Sequence, residues 1–287
     1  MKGITDNVNS ITVTHNPDLD GQTFYNQIKV LNTVCKSCFV IDNGSKNVLA
    51  IENICKEFPR TKLVKLNENR GIGAALNIGV KECSLKQDVD WILTMDQDSY
   101  FGMDIMDSIT SETQPFLSDE NVIAFGLNFE DVHFSRFRFQ NRGHSPIYQK
   151  TLITSGCFLK KEIAISHKFS ESLFMYYVDS DYFNQLSREN FKFVLLCKSV
   201  MFHKGGDRLV YSSGKVVHFN KPWRFYYMGR NSIIMLKKYR DFRAVLYVIY
   251  LLAENFAAHT NILQSVFQFS RGLIDGIIVF DTTVYPY

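Results

Sequence analysis

The first hundred residues alternate between two periodicities, and that alternation restricts the chain to few architectures. Ser10–Thr14 is a short β-branched run, and Leu19–Val34 sets Phe24, Ile28, Leu31 and Cys35 at helical spacing. Cys38–Ile41 is a second apolar run, closed by the turn Asp42-Asn43-Gly44-Ser45. Val48, Ile51, Cys55 and Phe58 mark a second helix that ends at Pro59. Leu63–Leu66 reads as a third strand, Gly71–Cys83 as a third helix and Val89–Met95 as a fourth strand. Repeated strand–helix units predict an α/β domain with a parallel sheet, right-handed crossovers and helices on both faces.

Past residue 120 the pattern loosens. Asn121–Phe129 and Leu152–Leu159 read as strands, Val178–Asn190 as a helix and Phe193–Phe202 as a strand. From Trp223 onward the spacing is helical. This predicts one domain over residues 1–220, with halves of about 1–100 and 101–220, and a helical extension over 221–287 that begins at Pro222. With 46% hydrophobic and 21% charged residues the chain is globular, and a net charge of +3 is too small to argue for nucleic acid as a partner. The longest apolar run, Ala244–Ala253, is about half of the roughly 18–20 residues a membrane span needs. The N-terminus has no apolar signal region, so the expectation is a cytoplasmic protein. Cys35 and Cys38 form a lone C-x-x-C at a helix-to-strand junction, where they read as small apolar residues.

In open α/β sheets, ligands bind beyond the carboxyl ends of the strands. Polar clusters stand at each of those ends: His15-Asn16-Pro17, Asp42 to Ser45, Asn67 to Arg70, and Asp96-Gln97-Asp98. Asp96 and Asp98, one residue apart after a buried strand, can both reach one divalent cation and leave positions open for phosphate oxygens. The same D-x-D-S is also ordinary turn chemistry. Asn69-Arg70-Gly71-Ile72-Gly73 opens a helix, where glycines allow close backbone approach and free N–H groups favour anions; helix packing alone would also require them. Asp179 and Asp181 lie at a helix start, where acidic residues suit the dipole, yet an aspartate in this aromatic stretch could serve as a general base. His203 ends a strand just before Gly205-Gly206, and either a structural role or a nitrogen ligand to the cation suits it.

These segments, in order, resemble glycosyltransferase family 2, the inverting transferases of GT-A fold. Thr12-Val13-Thr14-His15-Asn16, Val40 to Ser45, Asn69-Arg70-Gly71 with Asn77-Ile78-Gly79, Asp96-Gln97-Asp98 and Ser155-Gly156-Cys157 carry the resemblance. Leu93 to Ser99, Tyr177-Val178-Asp179-Ser180-Asp181-Tyr182 and Tyr226-Tyr227 with Arg230-Asn231 are similar to elements of the family's bacterial rhamnosyltransferases. The resemblance implies a mixed, mostly parallel central sheet flanked by helices, with further helices at the C-terminus. It implies a nucleotide-sugar site of Thr14, Asn16, Asp42, Asn43, Asn69, Arg70, Gly71, Asn77, Asp96 and Gln97. It further implies Mg²⁺ or Mn²⁺ held by Asp98 and Asp96 with His203, and Asp179 as catalytic base with Asp181 as second candidate. Ser155, Gly156, Tyr177, Tyr227, Arg230 and Asn231 would line the acceptor side. Many members have Glu-Asp where this chain has Val178-Asp179, so the base assignment follows the rhamnosyltransferase form.

The implied reaction moves L-rhamnose from dTDP-L-rhamnose to a hydroxyl of a growing, lipid-linked surface polysaccharide such as O-antigen. A UDP-hexose donor, or a non-catalytic subunit of a glycan-assembly complex, is the alternative. Lys237, Lys238, Arg240 and Arg243 beside Ala244–Ala253 suit a helix lying on the cytoplasmic face of the inner membrane, or one packed on the domain or in a homodimer.

Overall fold

The computed structural model describes residues 3–86, 88–131, 136–137, 145–203, 208–210, 216–218, 220–257 and 261–278. The chain divides into two compact units, Met1–Ser172 with Val178–Lys204, and Leu173–Tyr177 with Gly205–Tyr287.

The first unit follows the predicted alternation: β1 (Val8–Thr14), α1 (Thr23–Val34), β2 (Cys38–Asp42), α2 (Val48–Lys56), β3 (Thr61–Lys65), α3 (Ile72–Ser84) and β4 (Trp91–Asp96). These four strands pair in parallel in the order β3-β2-β1-β4. A two-residue strand β5 (Ser99–Tyr100) and helix α4 (Met106–Thr113) come next, then strands β6 (Val122–Asp131), β7 (Arg136–Phe137), β8 (Ile147–Gln149) and β9 (Cys157–Lys160). Helices α5 (Lys161–Ser166) and α6 (Val178–Ser187) and strand β10 (Lys192–His203) complete the unit. The sheet continues β4-β9-β6-β10-β5, antiparallel at β9 and β5 and parallel between β6 and β10, so it is mixed, with its long ladders parallel.

Both faces of the sheet are covered. Leu31 of α1 and Ile109 of α4 pack with Val8, Leu93, Met95, Phe125 and Phe158 on one side, while Phe24, Ile28, Ile51 and Cys55 enclose Val40. On the other side Gly79 of α3 lies directly on Ile11, leaving no room for a side chain. Cys35 and Cys38 sit buried at the α1–β2 junction, as small apolar residues would.

Two expectations change. Leu152–Leu159 is not one strand: β9 begins only at Cys157, because Gly156 turns the chain at φ +69°. Helix α4 escapes the sequence pattern because Asp107, Ser108, Thr110 and Ser111 dilute its apolar spacing. Its Glu112 is buried, and its carboxylate accepts the backbone N–H of Lys198 (2.9 Å), the N–H of Ser199 (2.9 Å) and the Ser199 hydroxyl (2.7 Å). Those bonds hold a bulge in β10, where Leu196 pairs Leu127 but Val200 pairs Asn128.

In the second unit, β11 (Arg208–Val210) pairs antiparallel with β12 (Val216–His218), followed by α7 (Pro222–Tyr239), α8 (Phe242–Ala257) and α9 (Ile262–Ile278). Gly272 and Gly276 let α9 approach the α7 backbone at Tyr226 and Arg230, where any side chain would collide with carbonyl oxygens. Lys237 closes the end of α9, its Nζ donating to the carbonyls of Gly276 (2.9 Å) and Ile277 (2.6 Å). No described helix is long and apolar enough to cross a membrane.

Candidate active site

The loops after β1, β2 and β3 are tied to one another by side chains. Thr14 Oγ1 donates to Asp42 Oδ1 (3.3 Å), and Asp42 Oδ2 accepts the Ser45 N–H (3.1 Å), with Thr14 and Asp42 both buried. Asn16 donates its backbone N–H to Ser45 Oγ (2.8 Å) and accepts the Lys46 N–H on Oδ1 (2.8 Å). Asn43 accepts the Arg70 N–H (2.8 Å) and donates to Asn69 Oδ1 (3.0 Å) and the Gly71 carbonyl (3.1 Å). Gly44, at φ +75°, brings its backbone against Glu68, where a Cβ would lie 2.6 Å from the carbonyl carbon. Polar loops after separate strands thus become one rigid floor.

The β4 end adds the carboxylates. The Gln97 side chain clamps the loop after β1, accepting the His15 N–H (2.7 Å) and donating to the His15 carbonyl (3.3 Å). Asp96 is held through its backbone: its N–H donates to Ser155 Oγ (3.1 Å) and its carbonyl accepts from Gln27 Nε2 (2.6 Å). Ser155 donates onward to Ser99 Oγ (2.8 Å), which lies 2.8 Å from His203 Nδ1. The same nitrogen stands 3.5 Å from Asp98 Oδ1. Burial first, then the neighbouring charges of Asp98 and Asp179, push the Asp96 carboxyl up to about 7. Asp96, Asp98, Asp179 and His203 therefore share one neighbourhood at the sheet's edge.

Asp179 and Asp181 both fall in the first turn of α6. Asp179 is half-buried, and its Oδ1 accepts the Ser180 N–H (2.8 Å). Asp181 is 2% exposed, within the core side of the helix. Only Asp179 combines access with proximity to Asp96, as the field of its charge on Asp96 shows.

Other predicted positions make the following contacts. The Asn77 side chain binds the segment before α6, donating to the Phe169 carbonyl (3.0 Å) and Glu171 Oε1 (2.9 Å) and accepting the Phe169 N–H (2.9 Å). Both ends of its amide are engaged there. Gly156 donates its N–H to the Thr94 carbonyl (2.8 Å) and so places Ser155 beside Asp96. In the second unit Asn231 is fully buried and donates to the carbonyls of Leu173 (2.7 Å), Met175 (2.7 Å) and Tyr176 (3.2 Å). It pins a segment in which Phe174, Tyr176 and Tyr177 all have φ near +60°. The Tyr177 hydroxyl donates to the Ala244 carbonyl (2.9 Å), and burial pushes its pKa up, well beyond the usual phenol range. Tyr227 stacks on Phe174, with centroids 4.9 Å apart, and Arg230 Nη1 lies 3.4 Å from Asn231 Oδ1. The loop at Gly205-Gly206 lies outside the described residues.

One contributor was missed. Gln27 holds the backbone carbonyls of Asp96 and Ser99 without belonging to a recognisable motif. The signal for Gln27 was present: it stands on the same face of α1 as Phe24, Ile28 and Leu31, a polar residue where the spacing calls for an apolar one.

Comparison with known proteins adds four findings. Residues 28–153 match the family model described as Glycosyl transferase family 2. The chain is 24% identical over 248 residues to a protein named dTDP-rhamnosyl transferase RfbF from Shigella flexneri, covering 81% of this chain and 80% of that one. Among solved structures, S. aureus TarS 1-349 superposes with a TM-score of 0.55 at 15% identity, covering 94% of this chain and 80% of that one. GalNAc-T7, solved with UDP, GalNAc and Mn²⁺, gives a TM-score of 0.52 at 10% identity over 69% of this chain and 43% of that one. The architecture, a mixed sheet flanked by helices, is of the GT-A type.

Proposed function

Since the chain is a glycosyltransferase with a family 2 domain at residues 28–153, we propose that it transfers L-rhamnose from dTDP-L-rhamnose, with inversion, to a sugar hydroxyl of a growing, lipid-linked bacterial surface polysaccharide. The observation that carries this reading is the carboxylate cluster: burial, and then the charges of Asp98 and Asp179 beside it, push the Asp96 carboxyl up to about 7. A set of hard oxygen donors in mutual repulsion suits a divalent cation. Among the described residues no three His, Cys, Asp or Glu side chains converge on one point. A divalent ion can take one or two carboxylates from a protein and the rest of its shell from a diphosphate. Mg²⁺ or Mn²⁺ held by Asp98 and Asp96, with His203 beside them, would supply positive charge against the departing nucleotide diphosphate.

The remaining work belongs to the chain's own groups. Thr14, Asp42 and the Asn43–Asn69–Arg70–Gly71 lattice form the pocket floor for the nucleotide. Asp179 accepts the proton of the acceptor hydroxyl as its oxygen bonds to the anomeric carbon. The anomeric carbon–oxygen bond to the diphosphate breaks with its electron pair, and dTDP leaves. Attack opposite the leaving group inverts the anomeric centre in one displacement. The rhamnosyl donor draws its support from the likeness to the S. flexneri protein along most of both chains.

Thermal stabilisation tests this directly. dTDP-L-rhamnose with Mg²⁺ should raise the melting temperature more than UDP-glucose with Mg²⁺; the opposite ranking would make the donor a UDP-hexose. Asp179→Asn should lower turnover about 100-fold or more while keeping the donor-induced stabilisation. Wild-type turnover in that variant would remove Asp179 from the mechanism.

A further inference from the structure

Gln27 is a polar side chain in an apolar place. It sits on the face of α1 that buries Phe24, Ile28 and Leu31, and is itself 1% exposed. Its Nε2 donates to two carbonyl oxygens, that of Asp96 (2.6 Å) and that of Ser99. Both partners are acceptors, which fixes the amide with its nitrogen toward them. Its Oε1 is buried and accepts no hydrogen bond among the described residues. An unpaired buried amide oxygen costs free energy that an apolar side chain of similar shape would not. The core therefore gives no reason for a glutamine at this position, whereas the two donated bonds do.

Those bonds span the turn between β4 and β5. Asp96 ends β4, Ser99 begins β5, and Gln97 and Asp98 form the connection. Ser155, also 1% exposed, holds the same two residues: its hydroxyl accepts the Asp96 N–H (3.1 Å) and donates to Ser99 Oγ (2.8 Å). Both ends of the turn are thus gripped by side chains remote in sequence, and its far end reaches His203, whose Nδ1 lies 2.8 Å from Ser99 Oγ. Aspartate is short, so where its carboxylate can reach is set by the peptide that carries it. Groups that orient metal ligands govern affinity nearly as strongly as the ligands do. We propose that Gln27 is the positioning residue of this turn: by clasping both of its ends, it sets the placement of the Asp96 and Asp98 carboxylates that hold the cation and, through it, the nucleotide diphosphate. The inference rests on the metal role proposed for those two aspartates and extends that role to α1.

Mn²⁺ binding to the full chain in the presence of dTDP, read from the loss of the free-ion electron paramagnetic resonance signal, tests it without turnover. A parallel series with UDP removes any dependence on the choice of nucleotide. Gln27→Met keeps the length of the side chain and removes both donors, and should weaken Mn²⁺ binding about tenfold or more. Nucleotide affinity measured without metal should stay within about threefold of wild type, because the floor built by Thr14, Asp42 and Asn43 is untouched. Ile28→Val, a neighbouring core change on the same helix, should lower the melting temperature yet leave Mn²⁺ affinity within about threefold. Wild-type protein that takes up no Mn²⁺ with either nucleotide would remove the metal reading and this inference with it. Wild-type uptake that Gln27→Met leaves unchanged would overturn the inference alone. So would a parallel loss of metal-free nucleotide binding, or failure of both Gln27→Met and Gln27→Leu to fold, either of which would make Gln27 a residue of the fold only.

Discussion

Asp96 shows how one residue can serve the site at a cost to the fold. Its carboxyl is raised from 3.8 to about 7 by burial and by Asp98 and Asp179, so the folded state binds a proton that the unfolded chain has released. The unfolded state therefore holds fewer protons between about pH 4 and 7, and stability falls as pH rises through that window. The metal-free protein should melt at a lower temperature at pH 8 than at pH 6, and Asp96→Asn should flatten that decline. Scanning calorimetry across this range checks it; an unchanged slope in Asp96→Asn would assign the decline elsewhere. Mg²⁺ should restore more stability at pH 8 than at pH 6, since it takes the place of the proton. Asp96 and Asp98 were legible as a spacing, and Asp42 and Asn43 as a turn. Gln27 was harder to find, because its contribution is a pair of hydrogen bonds to the backbone carbonyls of Asp96 and Ser99, which no linear pattern records.

Elements were legible where burial imposes a period. All four strands and three helices predicted for the first hundred residues appear in order, because each presents an apolar face to the core. The boundary that moved is set by a single residue, Gly156, and the helix that escaped, α4, is one whose surface is polar. The segment before α6 was wholly hidden. Three aromatic residues there take left-handed backbone, each at an expense of order 1–3 kcal/mol, and the donors that hold them come from Asn231, more than fifty positions away. Asn231→Leu would leave buried carbonyls without partners in a strained stretch. Chemical denaturation should show a loss of about 3 kcal/mol. A loss below about 1 kcal/mol would mean that the segment keeps its shape unaided.

For the whole molecule, composition concealed a division. A net charge of +3 describes neither unit, since the excess lies beyond residue 204 and the first unit is acidic. The alternation that revealed the α/β sheet loosens past residue 120, and on α8 and α9 a hydropathy pattern cannot tell a buried apolar face from an exposed one. Solubility should follow from the same surface. Phe242→Ser with Phe267→Ser should leave the melting temperature within about 2 °C, because both side chains are exposed. The pair should also raise the concentration at which light scattering first detects aggregates. A large fall in melting temperature would show that these side chains stabilise the monomer.

Glu112 carries a consequence for how the sequence can change over time. By gripping Lys198 and Ser199 it fixes how many residues β10 loops out between Leu196 and Val200. Side chains alternate along a strand, so one residue more or fewer there would swing His203 from one face of the sheet to the other. An irregular surface stretch is ordinarily where insertions accumulate unnoticed. Here the bulge behaves as a counted spacer, and drift in its length would reach the imidazole beside Asp98 before it disturbed the core.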